Sequence, residues 1–363
     1  APGTIDAKRV AVLRGRVIDR NGTPLSGVTV KVNGRAQFGQ TLTRADGRYD
    51  MAVNGGEVLT LDFSKSGLLP VQRTQSTPWR RYVNLTDVVM IGLDTAVTAI
   101  TANGATMQVH QGTVQTDASG SRQATLLFPA GTAATLQLPG GGTQPLTTLT
   151  VRATEYTVGP NGPAAMPGVL PPTTGYTYAA ELSADEAIAA GAKSVQFSQP
   201  VPVYVDNFLG FPAGTIVPAG WYDREQARWL AAPNGKVIKI VAIAGGVADL
   251  DIDGDDVADD PTTQLAPLGI TLAERQALAT LYSAGLSFWR TPTTHFSTVD
   301  YNWPYAPPPG AKGAGTEGAS TDEAIDQCLA EAAGSIIECQ NQILGQSVPI
   351  VGTPYTLNYR SDR

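Results

Sequence analysis

Apolar and polar positions alternate along much of this chain. In Val28-Thr29-Val30-Lys31-Val32 the three valines share one side and Thr29 and Lys31 the other, the two-residue period of a strand with one buried face. Val10–Ile18, Thr41–Arg44, Tyr49–Val53 and Val58–Phe63 read as further short strands. Between them stand Asp19-Arg20-Asn21-Gly22, Asn33-Gly34 and Ala45-Asp46-Gly47. Asn-Gly and Asp-Gly pairs accept the positive φ of tight turns, so this stretch predicts an antiparallel β-sandwich.

The pattern then loosens. Residues 74–95 read as a connector with one buried strand, Val88–Ile91. Strands follow at Thr125–Leu127 running into Phe128, Ala134–Leu138, Thr147–Ala153, Tyr176–Glu181, Ser194–Phe197 and Val201–Val205. The Pro/Gly-rich residues 158–175 read as a long exposed loop. Arg228–Leu230 and Lys236–Val241 flank Asn234-Gly235 and predict a hairpin. This region reads as a second sandwich with fibronectin-like topology. Helical signals occur twice. Thr271–Tyr282 opens on a threonine with Glu274 three residues on, a capping box. Ser320–Ala332 carries acids in its first turn and stops at Gly334. Pro307-Pro308-Pro309 and the Gly/Ala run to Ser320 read as a flexible linker, and Ser335–Cys339 and Val348–Tyr359 as extended. The predicted fold is mainly β: tandem antiparallel β-sandwich domains with a few short helices near the C-terminus. The expected divisions are 1–94, 95–245 and 246–363.

Composition agrees with a turn-rich β protein: 39 Gly, 26 Pro and only 16% charged residues in 363. No run of about 18 apolar residues occurs, so no membrane span is expected. The start at Ala1 without Met suggests a processed or trimmed chain. The net charge is −7, and seven aspartates between Asp249 and Asp260 account for all of it. Residues 1–94 hold 13 basic and 8 acidic side chains, and residues 95–363 hold 12 and 24. A mildly basic module therefore precedes an acidic body. Its dispersed Arg14, Arg16, Lys31, Arg44 and Arg48 do not form the basic stripe a nucleic-acid partner requires.

The aspartate stretch carries the strongest candidate chemistry. Asp249, Asp251 and Asp253 are followed by Gly254, with an acid at the twelfth position, Asp260. Calcium takes six to eight oxygens at about 2.3–2.6 Å, and this spacing gathers oxygens about one point. Asp249, Asp251 and Asp253 would give side-chain oxygens, Asp255 a backbone carbonyl or its carboxylate, and Asp260 would close the site. A solvated Asp/Gly turn is the alternative, although carboxylates this dense repel one another without a cation. Val237–Val247 is strand-like and the next helix starts at Thr271, so the expectation is a structural Ca2+ that folds the loop, not a helix–loop–helix sensor.

Catalytic motifs are missing. There is no G-x-S-x-G elbow, P-loop, dinucleotide fingerprint or H-E-x-x-H, and a non-enzymatic protein is expected. His110 and His295 are far apart, and His295 in an apolar, aromatic stretch reads as a packed side chain. A hydrolase would need one of them beside a serine and a carboxylate. Cys328 and Cys339 are either one disulfide or two buried thiols. Trp221, Tyr222 and Trp229 offer either a sugar-stacking platform or core packing, and Trp289, Trp303 and Tyr305 invite the same two readings.

Two resemblances extend this reading. Gly15-Arg-Val-x-Asp19-x-x-Gly22-x-Pro24-Leu-x-Gly27-Val-x-Val30 with Thr43-x-Ala-Asp-Gly47-x-Tyr49 resembles the carboxypeptidase-regulatory, transthyretin-like module. In that family the module is a structural or adhesive appendage. Farther on come Gly220–Trp229, Gly235–Ile240, the aspartate loop, Leu268–Gln276, His295–Pro304, Ser335–Gly345 and Val348–Arg363, the last closing on G-T-P-x-x-L-x-Y-x-S-D-R. This order resembles the region before the YD-repeat shell of bacterial Rhs and teneurin-like proteins, with residues 96–200 matching least. The resemblance implies a transthyretin-like domain followed by a fibronectin-like plug that closes one end of a hollow β-shell. Bacterial members often enclose a toxin in that shell, and teneurins act in adhesion. The chain itself contains no YD repeats and no toxin, so it reads as one piece of a longer protein. The implied partner is the YD-repeat shell of the same protein, at the cell surface or after secretion, with Val348–Tyr359 pairing its first strand. An adhesion or carbohydrate-binding module, with a cell-surface receptor or glycan as partner, is the alternative.

Overall fold

The computed structural model describes residues 3–170 and 174–303, and the backbone of the strands Gly345–Pro349 and Thr356–Arg360. The second predicted helix, the Pro307–Pro309 linker, Tyr305, Ser335–Cys339 and the paired-cysteine question lie outside the described residues.

The first module is the sandwich that the alternation predicts. One sheet orders Arg48–Asn54, Val10–Ile18 and Tyr82–Asn84, with Val88–Val89 also pairing Val10–Ile18. The other orders Gln40–Leu42, Thr29–Val32, Glu57–Ser64 and Val71–Thr77. Leu13, Val17, Tyr49 and Met51 from the first sheet close on Val30, Leu61, Phe63 and Val71 from the second. Two glycines of the motif are set by close approach. A Cβ on Gly15 would lie 2.8 Å from the Tyr49 hydroxyl, so the glycine makes room for the tyrosine that re-enters the core. Gly47 has φ +75°, and a Cβ there would meet the Val17 carbonyl oxygen at 2.4 Å.

Beyond it, two larger sheets stack. One orders Arg228–Ala231, Gly220–Asp223, Thr298–Asp300, Ala179–Ala184, Thr148–Glu155 and Thr98–Thr101. The other runs Gln108–Gln111, Ala124–Phe128, Ser194–Asp206, Ser287–Phe296, Gly235–Ala244 and Ile216–Val217, with Ala134–Gln137, Thr143–Leu146 and Val247–Asp251 attached. Leu126, Leu182, Val203, Trp289 and Tyr301 fill the space between the sheets. The second sheet is covered on its outer face as well, where Leu127, Tyr204, Ile240 and Leu250 meet Leu265 and Leu278. Burial on both faces explains why Ala124–Phe128 is an unbroken, fully buried run and does not alternate.

Three helices are short. Helices α1 (Gly162–Ala165) and α2 (Asp185–Ala189) interrupt the strands mid-chain, and α3 (Leu272–Leu281) covers the outer face. Thr271 caps α3, its hydroxyl accepting from the Glu274 amide at 3.2 Å. The Glu274 carboxylate has been drawn away into a buried network with Arg290 and Tyr204, so its part in the predicted capping box is taken over by the core.

Four expectations need correction. Arg228–Ala231 and Gly235–Ala244 do not pair as a hairpin; they belong to different sheets, and the chain crosses between layers at residues 232–234. The two strands expected at 194–197 and 201–205 are one strand, Ser194–Asp206, with a register shift between Gln196 and Val201. The division expected at 245/246 falls in the Gly245-Gly246 turn joining two paired strands, and Ser287–Phe296 and Thr298–Asp300 supply interior strands to the two sheets, because the second layer closes only with them. Described by itself, the C-terminal part forms an antiparallel hairpin, Gly345–Pro349 against Thr356–Arg360, where one continuous extended run over Val348–Tyr359 was expected.

Candidate functional site

The aspartate loop leaves the Val247–Asp251 strand and ends at the turn Pro261–Leu265. Asp251 is fully buried. Its Oδ1 accepts from the amides of Asp253 (3.0 Å) and Gly254 (2.6 Å), and its Oδ2 from the amide of Asp256 (3.1 Å). Asp259 is also buried, and its Oδ2 accepts from the Ile252 amide at 2.6 Å. Oxygens of Asp251, Asp253 and Asp259 lie within 4.8 Å of one another, the breadth of a calcium coordination sphere. Burial raises the Asp259 carboxyl above its ordinary value, and the charges of Asp253, Asp251 and Asp255 push it further the same way.

The set differs from the one the spacing predicts. Asp249 is turned to Arg275, with Arg275 Nη2 at 2.6 Å and Arg275 Nε on the Ala248 carbonyl at 2.7 Å. Asp260 caps the following turn, its Oδ1 accepting from the amides of Thr262 (3.0 Å) and Thr263 (2.8 Å), which hold its carboxyl below the usual range. Counted from Asp251, the residues Asp251, Asp253, Asp255 and Asp259 fall at the spacing of positions one, three, five and nine in calcium-binding loops. Position six, a glycine in such loops, is Asp256, which adopts φ +62°. Asp255 is exposed and its Oδ1 accepts from the Val257 amide at 2.8 Å. A donor set of hard carboxylate oxygens suits Ca2+ chemically.

The three aromatic candidates do not form one surface. Trp221 and Tyr222 are successive residues of a strand and face opposite ways. Tyr222 is 4% exposed and packs on Trp229, ring centroids 5.0 Å apart, and Trp229 packs against the core that joins the first module to the second. Trp221 is half-buried and meets the His295 ring edge-on at 4.8 Å. Burial lowers the pKa of both histidines, that of His110 to about 4. His110 Nδ1 lies 3.0 Å from Thr98 Oγ1.

Sequence reasoning missed the joint between the two modules. Arg73 reaches out of the Val71–Thr77 strand and donates from Nη1 to the carbonyls of Gln72 (2.7 Å) and Met166 (2.9 Å), and from Nη2 to that of Ala164 (2.5 Å). Burial with carbonyl partners alone lowers its pKa to about 10, with Tyr222 and Tyr49 opposing. Arg20 donates to the Glu155 carbonyl at 2.7 Å, and Arg224 returns the contact to the Pro70 carbonyl at 2.8 Å. Ile18, Leu69, Val89 and Ile91 pack there against Tyr156 and Met166. No local motif marks these arginines, because the bonds that cross the joint link residues far apart in sequence.

The first module, then, is a transthyretin-like sandwich whose glycines and tyrosine explain its motif. Residues 5–90 match the family model described as the teneurin TTR-like domain, and they form a transthyretin-like domain of the teneurin type. Human Teneurin-1 is 37% identical over 87 residues, mouse Teneurin-3 40% over 80 and Drosophila melanogaster Teneurin-m 41% over 87. These matches cover 22–24% of this chain, and the chain spans 3% of the length of those curated relatives. A streptococcal ancillary pilin is similar at 13% identity and a TM-score of 0.18, covering 39% of this chain and 60% of that one, too slight a likeness to carry an argument.

Proposed function

We propose that this chain is the transthyretin-like and plug region of a YD-repeat protein of the Rhs and teneurin-like kind, secreted or at the bacterial cell surface. It acts sterically and without catalysis, closing one end of the hollow β-shell of the same protein. The observation that carries the reading is the teneurin-type domain at residues 5–90, followed in order by the plug-like motifs of the second half. The arginine joint is consistent with it, since hydrogen bonds from the buried Arg73 guanidinium to carbonyls of the second module tie the two modules together. No helix among the described residues is long and apolar enough to cross a membrane.

Calcium belongs to the same reading. Asp251, Asp253 and Asp259, with Asp255 nearby, would hold Ca2+ and stiffen the loop by neutralising carboxylates that otherwise repel. The ion's contribution is structural, and the aspartates do the positioning.

The plug reading requires YD repeats in the gene product beyond Arg363. In that full-length protein, deleting residues 1–303 should open the shell, so that protease cleaves sites facing its lumen. A gene product without such repeats, or a shell equally resistant after the deletion, would overturn the reading.

A further inference from the structure

The outward face of the first sheet gathers four arginines that lie apart in the sequence. Along Val10–Ile18, Leu13 and Val17 enter the core, so Arg14 and Arg16 point out. Along Arg48–Asn54, Tyr49, Met51 and Val53 go in, and Arg48 and Asp50 go out. Arg44 joins them from the preceding turn, its Nη1 2.9 Å from Asp50 Oδ2. With Asp50 and Asp87, these four arginines line a cup of about 490 Å3, within the size range of small-ligand sites. Four guanidinium groups face two carboxylates there, so the cup is positive in a chain whose net charge is −7.

Two of the four are committed within the protein. Arg14 Nη2 lies 2.8 Å from Asp50 Oδ1, and its guanidinium sits 4.4 Å over the Tyr82 ring. Arg44 holds the other Asp50 oxygen, so both oxygens of that carboxylate are taken. Arg16 and Arg48 are left over. Arg16 Nη1 is 3.9 Å from Asp87 Oδ2, and Arg48 Nε is 3.7 Å from Asp46 Oδ2, both beyond hydrogen-bond distance. Their side chains are 35% and 66% exposed, so an outside group can reach both. The two are also register partners across the antiparallel strand pair. Residues so placed have Cβ atoms about 4.5–5.5 Å apart, and like charges directly opposite destabilise a sheet. Two unfilled guanidinium forks, set side by side against the stability of the sheet, are the arrangement that an anion between them would relieve.

We infer that Arg16 and Arg48 clamp a phosphoryl group, free or carried as a monoester. The planar fork of arginine matches phosphate oxygens two at a time, which a lysine ammonium does not. A phosphate monoester carries about −1.5 to −2 charges and three acceptor oxygens, enough to answer both guanidinium groups. A carboxylate carries one charge and would leave the pair half-neutralised, as Asp50 leaves Arg14 and Arg44. Two free forks also fall short of the row of cations that a nucleic-acid backbone requires. The site lies wholly in the first module, does not depend on the plug reading and would survive its failure.

The test titrates the whole 363-residue chain, in calcium-free buffer at low salt, with glycerol 3-phosphate, inorganic phosphate and acetate separately, read by calorimetry. Both phosphates should bind with a Kd of about 5 mM or tighter, and acetate at least about tenfold more weakly. Arg16→Gln and Arg48→Gln should each weaken phosphate binding about tenfold. Without ligand, Arg48→Gln should not lower the Tm, because it removes one of two opposed like charges. Arg35→Gln, on an exposed arginine paired with Glu57 outside the cup, should leave binding unchanged. Flotation on phosphatidylcholine vesicles with and without phosphatidic acid distinguishes the sources. Retention that needs phosphatidic acid and is lost in Arg48→Gln extends the clamp to a lipid headgroup, and its absence confines the clamp to soluble phosphates. The inference is overturned if neither phosphate binds at about 20 mM, if acetate binds as tightly as phosphate, or if binding persists undiminished in both arginine variants. Should a variant fail to fold, phosphate against acetate on the parent decides alone.

Discussion

Two regions of the second unit handle negative charge in opposite ways. Under α3, Glu274 is 1% exposed, and its Oε1 accepts from Tyr204 at 2.5 Å and from Arg290 Nε at 2.6 Å, with Arg290 Nη2 on Oε2 at 3.1 Å. The protein supplies the cation, and Arg290 Nη1 also donates to the Leu268 carbonyl at 3.0 Å. In the aspartate loop, a short distance along the same chain, Asp251 and Asp259 are also buried, yet only backbone amides serve them. The loop's basic neighbours are taken at its margins, Arg275 by Asp249 and Lys239 by Asp256. The lesson is that a buried carboxylate beside a built-in guanidinium is balanced by the protein itself, whereas at Asp251 and Asp259 no such cation is built in, which is why the proposed reading gives that role to an ion from outside.

The comparison is broken most severely by removing the built-in charge. Glu274→Gln leaves Arg290 buried without its counter-charge, and the protein should lose about 3–5 kcal/mol, read by urea unfolding. Glu274→Met combined with Arg290→Met should recover much of that loss, since it removes both charges. Equal losses in the single and double variants would show that packing, not charge pairing, matters there.

A third carboxylate sharpens the contrast. Asp300 is 8% exposed with no guanidinium beside it, and burial raises its pKa to about 6 although Asn302 hydrogen bonds oppose the shift. A folded pKa raised above the unfolded one gives stability that is fully present below about pH 4 and lost as the pH rises through about 6. Asp300→Asn should therefore be more stable than the parent at pH 7.5, by on the order of 2 kcal/mol, and should show no advantage at pH 4. Thermal unfolding at the two pH values checks this, and an advantage of the same size at both would contradict it.

The smallest effect concerns the loop's margin. Asp249→Asn breaks the pair with Arg275; the Asp249 side chain is 30% exposed, so the change should cost at most about 1 kcal/mol in denaturant unfolding. It should leave calcium affinity unchanged, because Asp249 is committed elsewhere.

What the sequence discloses here follows the range of the interaction concerned. Val10–Ile18 appears with the bounds expected, and Gly15, Gly47 and Tyr49 were legible because turns and alternation are local. The cap at Thr271 was legible for the same reason, but the diversion of Glu274 to Arg290, sixteen residues on and in another strand, was not. The aspartate loop was legible, but not which of its aspartates share one point. Both Asp249 and Asp251 begin a plausible series, and only Arg275, 26 residues downstream, removes Asp249 from it. A count from Asp251 to Asp259 would have found the alternative.

The central claim, that the loop takes its cation from outside through Asp251, Asp253 and Asp259, is tested most directly by calcium calorimetry on the parent, Asp259→Asn and Asp260→Asn. Asparagine caps a turn about as well as aspartate, so Asp260→Asn should fold and bind like the parent. Asp259→Asn should lose calcium binding at least about tenfold. The parent should unfold at a lower temperature in chelator. Absence of binding by the parent, or loss on Asp260→Asn with retention on Asp259→Asn, would contradict the account.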